Sequence, residues 1–563
     1  MKKKIIPVLV AILLILIVIA AGFGTKIIEK YSYSKERADL KEYYSLTEDN
    51  DVALLLQNDF LEAKGKLING TYYLDFDTVQ TYFNNRFYVD KVEKLLIYTT
   101  PTDIISAPIE GNVANVSGVP GEENYVIATY QEDTLYVAID YVKKYTNFSY
   151  EVFTEPNRMQ INTEWPIRTI ADVVKNTAIR YQGGIKSDIL EDVSVGDVVV
   201  VLEKMDNWVK VKSKDGIIGY IEKKRLTNER DEMQTPVTDV AVPEYTSITK
   251  DYKINMGWHQ VTNQTANASI QSVLAQTKSM NTISPTWFSL SDNNGNFTSL
   301  ASPEYVANAH SMGIEVWALI DNFNTAVDTN EVLSSATKRA YLIQGLMNAA
   351  LQCDIDGINI DFEKISVETG ENFIEFIREL SISCRANGIV LSVDNYVPKE
   401  YSTHYNRKEQ GIVADYVIIM GYDEHYGGGG VAGSVASINF VEEGIKKTIE
   451  EVPSNKVINA IPFYTRIWST KGTEVSSQNT GMGVAENFLA QKNVEAAWDD
   501  ETCQNYAEFQ DGDTFYQVWL EDAQSLEVKL NIMQKYELAG IAEWKLGLET
   551  ANVWDNIANY VNN

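Results

Sequence analysis

Cysteine and histidine are scarce. The 563 residues contain three cysteines, Cys353, Cys384 and Cys503, and four histidines, His259, His310, His404 and His425. An odd, scattered set of cysteines without C-x-x-C spacing argues against a disulfide framework and against a zinc site. The dispersed histidines suggest no metal cluster, so no metal and no cofactor are expected. No G-x-S-x-G elbow supports a serine nucleophile, although a Ser-His-Asp triad is not thereby excluded. Basic residues are also short: Lys+Arg 48 stand against Asp+Glu 78, a net charge of −30. No basic run occurs beyond the extreme N-terminus. A nucleic-acid partner or broad adhesion to anionic lipid is therefore not expected, and a neutral or partly cationic polymer suits the chain better.

What is present is a globular composition, 45% hydrophobic and 22% charged, in a chain long enough for two to four domains. At the N-terminus "MKKK" precedes "IIPVLVAILLILIVIAAGF", about 19 apolar residues, near the length that spans a bilayer as a helix. The run is longer than a signal-peptide core, and "AAGFGT" is a poor cleavage site. Residues 1–25 therefore read as an uncleaved membrane anchor with its basic flank cytoplasmic and the remainder facing the cell wall. The alternative is secretion after cleavage.

Residues 26–50 are polar and read as a stalk. Residues 51–165 hold short runs such as "RFYVD" and "TLYVAIDYV", alternating aromatic or β-branched residues with polar ones. This segment resembles the copper amine oxidase N-terminal-like module of bacterial surface proteins, although it has no histidine cluster for copper; it reads as a spacer or wall-contacting domain. Residues 166–228 alternate cleanly between turns at Gly183-Gly184, Gly196-Asp197 and Asp215-Gly216. Their order "GD…V, NWVKV, DGIIGYI" resembles the bacterial SH3-like barrel. Trp208 and Tyr220 are candidates for a peptide groove, with Trp208 as plain core the competing reading. Residues 229–249 carry prolines and read as a linker.

From about residue 250 the rhythm becomes strand, then helix, repeated. Eight strand candidates run from "KINMGWHQV" to "GIAEWKL", and Gly313, Gly388 and Gly540 stand where helix ends want a left-handed residue. Eight strands and their helices in residues 250–563 fit a (β/α)8 TIM barrel. The rival is a doubly wound sheet, but no G-x-G-x-x-G follows the first strand. Overall the chain reads as multidomain: an anchor, a β-rich domain, a small SH3-like β-barrel and a C-terminal TIM barrel.

Within that barrel, "DGINIDFEK" (356–364) places Asn359, Asp361 and Glu363 on one face and Ile358, Ile360 and Phe362 on the other. Burying unpartnered carboxylates is costly. In a barrel the polar face points inward and climbs to the catalytic mouth, with Glu363 highest and Asp356 at the strand's entrance. A glutamic acid of raised pKa beside an ionised aspartate suits acid catalysis at a glycosidic oxygen. A purely structural polar triplet is the bland alternative.

"DGINIDFE" resembles the D-x-x-D-x-D-x-E signature of glycoside hydrolase family 18, the chitinases and N-acetylglucosaminidases. "MGYDEH", "IPFYTRIW" and Trp544 in "IAEWKLG" follow in the family's order. The resemblance implies substrate-assisted retaining hydrolysis of β-1,4-linked N-acetylglucosamine glycans. Glu363 would be acid and then base, Asp361 would hold the acetamido N–H, and Tyr422 would donate to the acetamido oxygen. It also implies a substrate-binding set of Asn359, Asp356, Met420, Asp423, Tyr464, Arg466 and Trp544. Asn359 departs from the family's usual Asp; an amide there is expected to donate to Asp361 and to alter the pH dependence. Asn359 and the insertion after the seventh strand also resemble the branch acting on spore cortex and peptidoglycan. Trp498, Tyr506, Phe515 and Trp519 of that insertion are candidates for a cleft wall, and Thr465 replaces the Gly of the chitinase motif. The expected substrate is therefore peptidoglycan. Chitin or chitooligosaccharide is the alternative, and a non-hydrolytic wall-glycan binder is the alternative of another class.

Overall fold

The computed structural model describes residues 5–563, with side chains for 7–19 and 29–563. The basic flank Met1–Lys4 lies outside the described residues. A helix runs Ile5–Tyr31. Among the described residues no helix is long and apolar enough to cross a membrane. The expected anchor, and with it the membrane-anchored location, is corrected on that finding.

The chain forms two compact units, one of residues 1–87, 107–113 and 122–242, the other of 88–106, 114–121 and 243–563. In the first, a seven-stranded sheet built from residues 51–162 accompanies a second of seven strands from residues 168–232. The segment expected to be a stalk folds onto the second sheet. Its edge strand Ile189–Val193 makes one parallel bridge with Arg37: Ala38 N–H donates to Ile189 O (3.0 Å) and Ile189 N–H to Glu36 O (2.8 Å). Tyr43 Oη donates to Ile218 O at 2.5 Å. Trp208 is half-buried, and a Cβ on Gly183 would stand 3.1 Å from its indole, so that turn packs on the ring rather than opening a groove there.

The second unit holds a closed barrel of eight parallel strands: β1 Ile254–His259, β2 Thr282–Leu290, β3 Glu315–Asp321, β4 Gly357–Asp361, β5 Val390–Tyr396, β6 Tyr416–Met420, β7 Val457–Pro462 and β8 Gly540–Trp544. Each pairs with its sequence neighbours, and β1 closes on both β2 and β8. Alternation sorts each strand into two cores. Inward, Met256, Trp258, Trp317, Leu319 and Ile418 fill the barrel. Outward, Ile358, Ile360, Phe362, Leu391 and Val393 meet the helices. Gly313 and Gly388 have φ of +73° and +68° just past helix ends, where glycine avoids the left-handed penalty. Gly540 serves another purpose: a Cβ there would lie 2.2 Å from Ile254 O, so glycine lets β8 approach β1.

Residues 88–106, read from sequence as part of a separate β-rich domain, belong to this unit. They lie over helices Ala336–Cys353 and Val367–Asn387, where Tyr88 Oη donates to Asn372 Oδ1 (2.6 Å) and Thr99 Oγ1 to Glu375 Oε1 (2.5 Å). Beneath them is a buried ion network. Arg339 bonds Glu379 through two nitrogens (2.9 and 3.0 Å), and Arg378 bridges Glu375 (3.0 Å) and Glu409 (2.8 Å).

Candidate active site

The C-terminal end of β4 delivers Asp361, 6% exposed, and two residues later Glu363. Glu363 is fixed at both backbone and side chain. Its N–H donates to Asn322 Oδ1 (2.9 Å) while Asn322 Nδ2 donates to Glu363 O (2.9 Å). Tyr396 at the end of β5 donates its hydroxyl to Glu363 Oε2 (2.7 Å), and that same hydroxyl accepts Lys364 N–H (3.3 Å). Burial raises the Glu363 carboxyl above the usual range against the lowering effect of the Tyr396 bond and Lys364, while Asp423 and Asp321 push it up further. Asp361 is raised well above its ordinary value by burial first, then by the charges of Asp394, Glu363 and Asp321. Its Oδ1 is buried and bonds to no protein group. An unsatisfied buried acceptor costs about 1–3 kcal/mol, so this oxygen is suited to take an N–H from outside the chain.

Around the two carboxyls the barrel mouth is aromatic. Trp544 at the end of β8 meets Trp258 edge-on at 5.8 Å. Tyr422, just past β6, meets Tyr464 at 6.1 Å. Tyr464 donates to Asp423 Oδ1 (2.6 Å), and Arg466 Nη2 reaches the same oxygen at 3.5 Å. Asp423 is exposed with φ of +58°, and Met420 is 8% exposed at the end of β6. Gly421 is dictated by crowding, since a Cβ would stand 2.8 Å from Ala460 O. Glu363, Asp361, Tyr422, Met420, Asp423, Tyr464, Arg466 and Trp544 are thus gathered at the ends of β4, β6, β7 and β8.

Two expected members sit elsewhere. Asp356 lies at the opposite end of β4, where it accepts His310 Nε2 (2.8 Å) and Val316 N–H (2.8 Å); its role is to brace the barrel floor. Asn359 is fully buried below the mouth and makes no bond to Asp361. The donor expected for Asp361 is corrected accordingly. Sequence reasoning missed Tyr396, Asn322 and Asp394. The alternation of Ser392, Asp394 and Tyr396 along β5 was the available signal, hidden because "SVDNYV" also reads as an ordinary strand end.

After β7 the insertion forms a sheet ordered Glu474–Gly481, Tyr464–Lys471, Thr514–Leu520, Gln504–Asp511, Ala497–Asp499. One face packs Ile467, Val518 and Ala507 on a helix, Met482–Gln491. The register puts Arg466, Tyr506, Phe515 and Trp519 on the other face, with the Tyr506 and Trp519 rings 4.6 Å apart. Trp498 pairs with Asn505 and so falls on the helix side, outside that aromatic group. Thr465 donates its hydroxyl to Trp519 O, which gives the replacement of the motif's glycine a structural role. Among the described residues no group of His, Cys, Asp and Glu could hold a metal ion.

The family model described as Glycosyl hydrolases family 18 matches residues 217–549, and that for the bacterial SH3 domain matches 175–227. The chain belongs to glycosyl hydrolase family 18. It is a glycosidase of that family. The resemblance of residues 51–165 to the copper amine oxidase module is not shown by these matches. Among relatives, the uncharacterized glycosylase YvbX of Bacillus subtilis is 27% identical over 292 residues, 49% of this chain and 84% of its own. The cortical fragment-lytic enzyme of Bacillus anthracis is 28% identical over 246 residues, 42% of this chain and 56% of its own, so this chain spans about half of that relative. The crystal structure of a chitinase from Chromobacterium violaceum aligns at TM-score 0.50 and 20% identity, covering 55% of this chain and 99% of that one; it shares the fold.

Proposed function

We propose that this family 18 enzyme hydrolyses the β-1,4 bond of N-acetylglucosamine in peptidoglycan, with retention and with the substrate's acetamido group as nucleophile. Glu363, kept protonated by burial, gives its proton to the leaving oxygen. The acetamido oxygen attacks the anomeric carbon from below, while Asp361 Oδ1 accepts the acetamido N–H and offsets the positive charge that develops. Tyr422 donates to the acetamido oxygen, and Trp544 floors the reacting sugar. Glu363, now a carboxylate, takes a proton from water as water opens the oxazoline-type intermediate. An intramolecular nucleophile held in place removes much of the entropic cost of association.

The observation that carries this reading is the pairing of a tyrosine-oriented, raised glutamic acid with a buried aspartate oxygen that no protein group satisfies. Peptidoglycan rather than chitin is favoured by the relatives named as cortical fragment-lytic enzymes. The aromatic face carrying Tyr506, Phe515 and Trp519 would border a short cleft. Mass spectrometry of peptidoglycan digests tests the proposal. Wild type is expected to release fragments ending in reducing N-acetylglucosamine, and Glu363→Gln none. Cleavage of a chitooligosaccharide with no action on peptidoglycan would transfer the substrate to chitin. Binding without cleavage by either protein would make the chain a glycan binder.

A further inference from the structure

The chain carries a net charge of −30, yet one of its cavities is lined by an excess of cations. This cavity lies in the first unit, between the two seven-stranded sheets, and encloses about 360 Å³, within the range of small-molecule sites. Strand pairing builds it. In the sheet of residues 168–232, Arg230 pairs with Ile170, Ile170 with Val200 and Val200 with Lys212, so the four side chains form a row across one face. In the sheet of residues 51–162, Glu151 pairs with Gln160, and Asn162 follows on the same side. The lining holds four cations, Arg168, Lys212, Lys214 and Arg230, against two carboxylates, Glu151 and Glu232. Arg168 is bound to Glu232 (2.7 Å) and Arg230 to Asp172 (2.8 Å). Lys212 is different. It is 4% exposed and, among the described residues, forms no salt bridge; its Nζ donates to Gln57 O (2.7 Å), which uses one of three donors. Lysines are almost never fully buried without a partner of opposite charge. Burial first, and then the Arg168 charge, bring the Lys212 ammonium down to about 8, against the pull of Glu151.

We infer that this cavity binds a short peptide through a free carboxylate, with Lys212 as the counter-ion. One buried ammonium without an ionic partner matches a single negative charge. The amides of Gln160 and Asn162 form no hydrogen bond with the described protein, so each offers a donor and an acceptor. Those are the groups a peptide link presents in return. Ile170, Val198 and Val200 add an apolar wall for a small side chain. A neutral sugar would use the amides and leave the ammonium unmatched, and a phosphate dianion would call for a second free buried cation. Neither Trp208 nor Tyr220, the groove candidates of the SH3-like module, lines the cavity. The site is therefore distinct from that groove, and it is complete only where both sheets meet. Peptidoglycan joins carboxylate-bearing peptides to its glycan, and chitin does not. Reading the ligand as a peptidoglycan stem peptide rests on the function proposed above; the carboxylate site itself does not.

Isothermal titration of the full chain tests the site with three probes: a soluble stem tetrapeptide, the same peptide with every carboxyl amidated, and inorganic phosphate. The acid peptide should bind with a Kd of about 1 mM or tighter, and the amidated one about tenfold or more weaker. Lys212→Gln should lose about tenfold or more in affinity for the acid peptide and nothing for the amidated one. Because Lys212 also bonds Gln57 O, a second variant keeps the test independent of that contact. Val198→Glu, at a position 41% exposed, sets a carboxylate in the cavity. It should weaken acid-peptide binding by about tenfold or more through like-charge repulsion and competition for Lys212, with the melting temperature unchanged. Val198→Glu decides alone if Lys212→Gln does not fold. Absence of binding by wild type, equal affinity for the acid and amidated peptides, undiminished binding by Val198→Glu, or binding of phosphate in place of the peptide would each overturn the inference. Peptide binding by a wild type that cleaves no peptidoglycan would sink the proposed function and leave the site standing. Cleavage of peptidoglycan without peptide binding would do the reverse.

Discussion

Two groups of carboxylates lie within one unit of this molecule, one in the outer helical layer and one at the barrel mouth. Glu375, Glu379 and Glu409, in the outer layer, each meet an arginine: Arg339 or Arg378 at 2.8–3.0 Å. At the barrel mouth Asp394 meets an amide and Glu363 a tyrosine hydroxyl, while Asp361 Oδ1 has no protein partner and is acted on by the charges of the other two. Asp361 and Asp394 are as buried as the first group, and Glu363 is half-buried. Where each carboxylate meets a guanidinium, the arrangement holds helices and the residue 88–106 segment together, although burial still raises Glu379 to about 7. Where no guanidinium is met, the fold carries groups whose protonation stays adjustable, and these are the groups that chemistry needs.

The comparison is broken most severely at Glu363. Glu363→Gln should lower activity on peptidoglycan by about 10²–10⁴-fold, the scale of a general acid. Its melting temperature should stay close to that of wild type, because the amide has nearly the shape of the protonated carboxyl it replaces and no buried charge is left unpaired. Arg339→Met addresses the matched group. Leaving Glu379 buried without its cation should cost about 3–5 kcal/mol in denaturant unfolding, with kcat of the folded fraction unaltered. Tyr396→Phe acts between these extremes. It removes the hydrogen bond that lowers the Glu363 pKa, so the acid stays protonated to higher pH and the alkaline limb of the rate profile moves up. At the optimum kcat should change by less than about tenfold, the size of one hydrogen bond of ~1.5 kcal/mol. Lys471→Ala, which removes an exposed pair with Asp513 at 2.7 Å, should leave both activity and melting temperature unchanged.

The barrel was legible in the sequence because its signals are periodic. Strand and helix alternate, and Ile358, Ile360 and Phe362 against Asn359, Asp361 and Glu363 report two faces of one strand. The acidic motif and the aromatic residues of β6, β7 and β8 were legible for the same reason: each is local. What sequence did not show is what neighbouring strands do to one another. Asn359 bonds across to Asp394 because the β4–β5 register sets it beside Ser392. Asp356 and Glu363 share a motif yet lie at opposite ends of a strand. Trp498 and Tyr506 look alike in the insertion, and only the pairing with Asn505 and Trp519 separates their faces. Residues 88–106 read as part of a separate β-rich domain, because nothing local in them announces the ion network they cover.

The central claim is that Glu363 protonates the glycosidic oxygen while the substrate's own acetamido group forms the intermediate over Asp361. Proton NMR of the sugar anomer first released from a β-1,4 N-acetylglucosamine glycan addresses it most directly. The β-anomer should appear first with wild type and not at all with Glu363→Gln. Initial release of the α-anomer, or undiminished release by Glu363→Gln, would contradict the account.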